Sequence, residues 1–259
     1  PPILTNAGSL LSGYDAIFCD VWGVLHNGKT AYAEAGAALA KFRAAGGTVI
    51  LVSNAPVPAA GIERVLKATG VRRDCWDAIV SSGDIALTHI REQGYTRLSR
   101  VGPHDRDGLF FDGLPGPHVA LHEAEAIACT GLLDDRREKV EDYRWLIDGG
   151  LKHKLPFVCA NPDLVVDVGT ERLLCAGSIA DVYEREGGFV FWAGKPHPSA
   201  YGTALRVATD LRGSEPKSER ILGIGDALRT DLAAAEGMGV AGLFIASGIH
   251  NHETLTGTA

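Results

Sequence analysis

The sequence contains no uninterrupted apolar run approaching the ~18 residues that a bilayer span needs, which excludes a membrane helix. It has no excess of basic residues: 25 Lys and Arg stand against 32 Asp and Glu, a formal net charge of −7. With a pI near 5.7, the chain lacks the basic face that a nucleic-acid binder presents. An anionic substrate would have to meet positive charge supplied locally by its own site. Cysteine is sparse. Cys19, Cys75, Cys129, Cys159 and Cys175 are odd in number and widely spaced, with no C-x-x-C pair. That pattern argues against a disulfide framework or a structural zinc site and fits a reducing cytoplasm, the expected location. No signal peptide is visible. There is no internal repeat, and no G-x-G-x-x-G follows the first strand-like run, which removes the dinucleotide-binding fingerprint.

What is present is ordinary for a globular protein: 259 residues, 46% apolar and 22% charged, compatible with one to two domains at roughly 150 residues each. Glycine is enriched, 32 residues or roughly 12% against a usual ~7%, and the excess falls between periodic segments. Ala16–Asp20 reads as a buried strand, followed by a helix from Ala33 to Ala45 that stops at Gly46-Gly47. Strand Thr48–Ser53, a helix from Pro58 to Thr69, strand Ala78–Ser81 and a helix from Asp84 to Gln93 continue the series. Late in the chain come strand-like Phe189–Trp192, a helix from Ser199 to Leu211, Ile221–Ile224, a helix from Thr230 to Gly237, and Ala241–Ile245. This alternation implies parallel βαβ units and a doubly wound α/β sheet. Between the two blocks the texture changes. Arg97–Pro117 is rich in Gly, Pro, Asp and Arg, and leads to strand-like Glu125–Cys129, a helix from Lys139 to Gly149 and strand-like Pro156–Cys159. The expected architecture is an α/β core, residues 1–82 and 189–259, interrupted by an inserted α/β module over residues 83–188.

The residues that end the strands carry the chemistry. Asp20 closes the first, Ser53-Asn54 the second, Asp226 follows Ile221–Gly225, and Gly194-Lys195-Pro196 precedes the late helix. In an open parallel sheet these positions are expected on one edge, where ligands bind. A carboxylate at a buried strand end costs free energy unless it pairs or binds a metal. Asp20 and Asp226 form a hard-oxygen pair suited to Mg²⁺, Lys195 adds a point charge for an anion, and Ser53 Oγ can donate to phosphate oxygens. Asp20, Asp226 and Asp231 bring −3 while Mg²⁺ and Lys195 bring +3, so a phosphate dianion would enter a roughly neutral cradle. Taken singly, each residue has a plainer reading. Asp20 reads as a turn residue, Asp231 as a helix cap, and Cys19 as a core residue facing away from Asp20. Asp105-Arg106-Asp107 and Arg136-Arg137-Glu138 read as solvated faces, and His250 and His252 as non-ligands near the chain end. The order of the four groups along the chain favours a phosphate or metal site.

In that order these residues resemble the haloacid dehalogenase (HAD) superfamily of aspartate-nucleophile phosphotransferases. The first strand with Asp20-Val-Trp-Gly-Val-Leu25 is similar to its first motif, Ser53-Asn54 to its second and Lys195-Pro196 to its third. Gly225-Asp226-Ala-Leu-Arg-Thr-Asp231 is similar to its fourth, G-D-x-x-x-T-D. An insertion between the second and third motifs, containing Cys159-Ala-Asn-Pro-Asp163 and Leu174-Cys-Ala-Gly177, resembles class IIA, the branch of nitrophenyl-phosphatases, pyridoxal-phosphatase and nucleotide- or sugar-phosphate phosphatases. The resemblance covers nearly the whole chain. It implies a HAD-like doubly wound core with a C2-type α/β cap, and Asp20 as a nucleophile that forms an aspartyl-phosphate. It implies Mg²⁺ held by the Asp20 carboxylate, the Trp22 backbone carbonyl and Asp226, with Asp231 ordering a metal water or Lys195. Ser53, Asn54 and Lys195 would bind the transferring phosphoryl, and Asn161 and Asp163 would lie on a cap loop facing the substrate. A small phosphorylated metabolite and a homodimer formed through the cap are the partners it implies.

The chain departs from the family at Trp22, where its phosphatases carry a second Asp that protonates the leaving group and later activates water. An indole N–H only donates a hydrogen bond, and losing a general acid/base typically costs about 10²–10⁴ in rate. The metal role survives because that position contributes its backbone carbonyl. His26 titrates in the right range to substitute, though a loop histidine reads more readily as solvated or substrate-contacting. Trp22 itself reads as packing over the sheet edge or as stacking on substrate. Phe110, Phe111, Tyr143 and Trp145 are aromatic residues of the insertion available to a cleft. The expected function is a Mg²⁺-dependent phosphohydrolase acting on a small phosphate ester. The alternatives are a phosphate-binding or regulatory protein with weak turnover, and a phosphotransferase that passes the phosphoryl group to an acceptor hydroxyl.

Overall fold

The first strands are short apolar runs without alternation: Ala16–Cys19 and Thr48–Ser53 are buried at every residue, as in a parallel sheet covered on both faces. In the computed structural model, which describes residues 4, 7–168 and 171–246, strands β1 (Ala16–Cys19), β2 (Thr48–Ser53) and β3 (Ala78–Ser81) come first. They are followed by β4 (Leu98–Val101), β5 (Ala126–Cys129), β6 (Phe157–Cys159), β7 (Val165–Val168), β8 (Glu171–Leu174) and β9 (Val190–Trp192), then by β10 (Ile221–Gly225) and β11 (Ala241–Phe244). The chain divides into two compact units. One gathers the residues up to Ser53, Glu63–Val80 and those from Ala200 on; the other gathers Asn54–Ile62 and Ser81–Ser199.

The first sheet has the order β11-β10-β1-β2-β3, and β1 pairs in parallel with both β2 and β10. The chain winds outward from β1 through β2 to β3 in one direction and through β10 to β11 in the other, so the switch point lies between β1 and β10. Phe18 meets Tyr201 edge-on beneath the sheet, with ring centroids 5.2 Å apart. The expected helix from Thr230 starts differently. Leu228–Leu232 forms a wide π-type turn, and the α-helix runs only over Ala233–Met238; such turns recur at functional sites.

The second sheet, β4-β5-β6-β9, is also parallel, and β7 and β8 form a separate antiparallel hairpin. Its core packs Tyr143, Ile147, Ile179 and Tyr183 against Ile127 and Phe157, with Tyr183 Oη donating to Leu155 O at 2.6 Å. Here the structure differs from the sequence reading. Val190–Trp192 pairs with β6, in register Phe157↔Val190 to Cys159↔Trp192, rather than resuming the first sheet. An apolar three-residue strand carries no local mark of the sheet it will join, whereas β1 already has ladder partners on both sides. The second unit therefore runs on to Ser199, past the expected limit at 188, and takes in Asn54–Ile62 as well. The glycine- and proline-rich stretch also hides β4 and a helix, His104–Asp112. All five cysteines are buried and none is in a disulfide. Among the described residues no helix is long and apolar enough to cross a membrane.

Candidate active site

At the switch point the first sheet gathers three carboxylates. Cys19 is level with Ile224, so Asp20 follows β1 where Gly225 ends β10, and Asp20 N–H donates to Ile224 O at 2.8 Å. One ligand atom from each of Asp20, Asp226 and Asp231 lies within 4.8 Å of the others. Asp226 and Asp231 are 2% and 3% exposed; Asp20 is half-buried and is the member of the trio that solvent reaches most. Leu51 pairs with Cys19, which carries the buried Ser53 to the same strand-end edge.

Local backbone makes the room. The π-type turn brings Asp231 back over Gly225, where a Cβ would lie 2.1 Å from the aspartate's Cβ. The Asp231 carboxylate accepts from Ala227 N–H at 3.2 Å, so it does cap its turn as well as join the cluster. Gly23 has φ +85°, and a Cβ there would stand 2.1 Å from Asp226 Oδ2. Three carboxylates so close disfavour their common ionisation unless a cation or donors compensate. An all-oxygen set at the end of buried strands suits Mg²⁺ or a similar hard divalent ion, so the residues present fit that metal.

Trp22 and His26 belong to the loop after Asp20. The indole lies on Gly28, where a Cβ would be 2.5 Å from its Cη2, and meets His26 edge-on at 5.3 Å between centroids. In this structure its benzo ring packs on its own loop, and its Nε1–H is buried with no acceptor. His26 is 1% exposed rather than solvated. Its Nδ1 accepts from Gly28 N–H at 2.9 Å, and burial lowers its pKa, so the neutral ring anchors the loop. Cys19 is in the core, as expected.

The other predicted residues lie in the second unit. Lys195 follows β9, hence the second sheet and not the first, which corrects the expectation that all four groups end strands of one sheet. It is 2% exposed. Asn54 clasps its backbone: Lys195 N–H donates to Asn54 Oδ1 at 2.8 Å, and Asn54 Nδ2 donates to Lys195 O at 2.9 Å. The same Nδ2 donates to Asp163 Oδ1 at 2.8 Å. Asn161 uses its Oδ1 to accept from Asp163 N–H at 3.1 Å. The loop is tied further by Gly194 N–H to Ser199 Oγ, Ser199 Oγ to Trp192 O, and the His197 ring stacked on Trp192.

Some groups escaped the sequence reading. Asp107 is not part of a solvated face: it is 1% exposed and accepts from Arg106 Nε at 2.9 Å and Nη2 at 3.0 Å. The signal was an arginine between two aspartates at a helix start. Glu138, likewise, accepts from Tyr143 Oη and Asp134 N–H, both at 2.7 Å. Ser82, which lines the Asn54 amide, left no pattern at all, and Gly194 was marked only as the residue before Lys195. Of the insertion's aromatic candidates, Phe110, Phe111 and Tyr143 are buried, and only Trp145 is exposed. His250 and His252 lie outside the described residues.

Fold and acidic centre together define a doubly wound α/β core with a carboxylate site at its switch point and a second α/β unit inserted in the chain. The family described as haloacid dehalogenase-like hydrolase matches residues 17–107, and a second, described as HAD-hydrolase-like, matches residues 192–259. A haloacid dehalogenase-like hydrolase from Brucella suis is 42% identical, with a TM-score of 0.88 over 98% of this chain and 96% of its own. A HAD-superfamily protein from Cytophaga hutchinsonii, described as a possible sugar phosphatase, is 22% identical with a TM-score of 0.75 over 98% and 93%. The p-nitrophenyl phosphatase from Archaeoglobus fulgidus is 20% identical with a TM-score of 0.70 over 93% and 90%. A comparison with curated proteins returned no match. The chain belongs to the haloacid dehalogenase-like hydrolases.

Proposed function

We propose that the chain is a Mg²⁺-dependent phosphohydrolase acting on a small phosphorylated metabolite through an aspartyl-phosphate on Asp20. The observation that carries this reading is the convergence of Asp20, Asp226 and Asp231 at the switch point, with Asp20 the most solvent-accessible of the three. Asp226, the Asp20 carboxylate and the Trp22 backbone carbonyl would hold the metal, with Asp231 beside them. When bound, the ion supplies charge neutralisation that lets an anionic phosphate approach carboxylates. Asp20 Oδ attacks phosphorus as the ester P–O bond breaks and the alkoxide departs. Water then attacks the same phosphorus, giving inorganic phosphate and the free carboxylate. Ser53 Oγ donates to a phosphoryl oxygen, and Lys195 offsets its charge. Five buried cysteines outside any disulfide agree with a reducing, cytoplasmic setting.

Trp22 favours a second reading for poor leaving groups: with no carboxyl at this position, an alkoxide must leave unassisted or the aspartyl-phosphate must wait for a better acceptor than water. Hydrolysis of p-nitrophenyl phosphate with and without Mg²⁺, beside Asp20→Asn, decides. Steady Mg²⁺-dependent turnover lost in Asp20→Asn supports the phosphohydrolase. A burst of one nitrophenolate per chain followed by silence, the phosphoryl staying on Asp20, points to a protein that turns over poorly, or to a phosphotransferase if an added alcohol restores turnover.

A further inference from the structure

The sequence places Asn54 among the phosphate ligands and Asp163 against the substrate, but the hydrogen-bond inventory of the Asn54 amide is already full. A carboxamide has two N–H donors and one oxygen with two lone pairs. The donors go to Lys195 O at 2.9 Å and Asp163 Oδ1 at 2.8 Å. The oxygen accepts from Lys195 N–H at 2.8 Å and, more weakly, from Ser82 Oγ at 3.5 Å. No side-chain donor remains for a phosphate oxygen. We propose that Asn54 is a positioning residue for Lys195, and that Asp163 fixes the orientation of the Asn54 amide. The assignment rests on the phosphohydrolase reading, because Lys195 is the group that meets the phosphoryl there.

The clamp is specific to asparagine. Turning the amide over would set N–H against Lys195 N–H, and oxygen against both Lys195 O and the Asp163 carboxylate. An aspartate at 54 would still accept from Lys195 N–H but would set a charged oxygen against Lys195 O and the Asp163 carboxylate. Asp163 is itself held. Its N–H is tied to Asn161, and the helix Ala176–Arg185 presses on this turn so closely that a Cβ on Gly177 would lie 2.4 Å from Pro162 O and 2.5 Å from Asp163 O. Before the lysine, Gly194 has φ +153°, and a Cβ there would lie 2.6 Å from Asn54 Oδ1 and 2.2 Å from Ser82 Oγ. Three segments distant in sequence thus converge on the backbone of one lysine. A flexible four-carbon stem delivers its charge reproducibly only if its base is fixed, and a misplacement of about 1 Å can cost 10² in rate.

The test measures inorganic phosphate binding by calorimetry in Mg²⁺, together with kcat and KM for p-nitrophenyl phosphate and for an alkyl phosphate. It uses wild type, Asn54→Ala, Asn54→Asp, Asp163→Leu and Asp163→Asn, each alone and combined with Lys195→Ala. The Asn54 variants are expected to lose at least tenfold in phosphate affinity and in kcat/KM, by the same factor for both esters. Asp163→Leu should lose less, and Asp163→Asn, whose amide oxygen still accepts from Nδ2, should recover most of it. In the Lys195→Ala background all these losses should vanish. Losses that follow the ester's alcohol while phosphate affinity stays intact would make these residues substrate contacts and overturn the proposal. So would losses that persist undiminished without the lysine. If the Asn54 variants fail to fold, the Asp163 pair in the two backgrounds gives the same decision. A wild-type chain that neither binds phosphate nor turns over sinks the phosphohydrolase reading and this inference together, whereas normal wild-type binding with unaffected variants sinks the positioning role alone.

Discussion

A β-carbon on Gly23 would stand 2.1 Å from Oδ2 of Asp226 and 2.7 Å from its Cγ. The glycine three residues after Asp20 is therefore what lets the Asp226 carboxylate occupy its place in the acidic cluster. Gly23→Ala is expected to raise the Mg²⁺ concentration for half-maximal activity at least tenfold. The strained positive φ would add a stability loss of roughly 1 kcal/mol. A Mg²⁺ titration by calorimetry and by activity checks this; an unchanged midpoint would show that Asp226 does not serve the metal.

Trp22 stands where a proton donor is expected, and its indole N–H is buried with no acceptor. A buried unsatisfied donor costs about 1–3 kcal/mol. Trp22→Phe keeps the ring on Gly28 and removes that donor, so its melting temperature should equal or exceed that of wild type. A fall of several degrees would mean that the N–H has a partner in solution.

Trp22→Asp restores a carboxyl at the position of the missing acid/base. It should raise kcat for an alkyl phosphate relative to p-nitrophenyl phosphate by about 10², the lower range for general acid catalysis, despite a packing loss of about 3 kcal/mol from the vacated ring site. Steady-state rates on the two esters measure the ratio. An unchanged ratio would mean that leaving-group protonation does not limit this enzyme.

Asp20 and Asp226 of the acidic centre were legible because they sit at strand ends, and strand ends are what apolar runs punctuated by polar residues mark; Asp231, on the turn Leu228–Leu232, was read from its place in Gly225-Asp226-Ala-Leu-Arg-Thr-Asp231. Asp20, Ser53 and Asp226 fall on one edge as that logic requires. Lys195 does not follow from it. The choice of β6 as the partner of Val190–Trp192 depends on side-chain packing over long sequence distances, which a short apolar run does not encode. Asn161 and Asp163 were recognisable as a motif, but whether their polar groups face a ligand or one another is settled by hydrogen bonds spanning 109 residues, such as Asn54 to Asp163. Asp107 was missed for a related reason. A charged residue looks exposed until its partner is known, and the partner here is its neighbour Arg106 folded back upon it.

His89 lies flat on Phe191, with ring centroids 3.5 Å apart and planes within 1°. Its Nε2 is buried without a partner, and burial lowers its pKa against a smaller opposing pull from Glu92. The unfolded chain takes up this proton near the ordinary value of about 6.5, while the folded chain resists it. The resulting contribution to stability is whole above that pH and is lost as pH falls below it, by at most ~1.4 kcal/mol per pH unit for one proton. His89→Phe keeps the stacked ring and removes the titration. Its melting temperature should fall less than that of wild type between pH 7.5 and pH 5.5, and an equal fall would place the acid sensitivity elsewhere.

Arg106 binds buried Asp107 through Nε and Nη2 and reaches Asp135 through Nη1 at 2.7 Å. Removing one partner of a buried pair leaves an uncompensated charge and typically costs 3–5 kcal/mol, whereas replacing both by apolar groups can be nearly neutral. The Arg106 side chain is 49% exposed, so water screens part of the interaction. Arg106→Leu should therefore cost about 2 kcal/mol rather than the full amount. Because the cost is the stranded carboxylate and not the lost attraction, Arg106→Leu combined with Asp107→Leu should be more stable than Arg106→Leu alone. Urea denaturation of the three proteins separates these terms. A double variant less stable than the single one would mean that Asp107 holds the helix His104–Asp112 through contacts independent of the arginine.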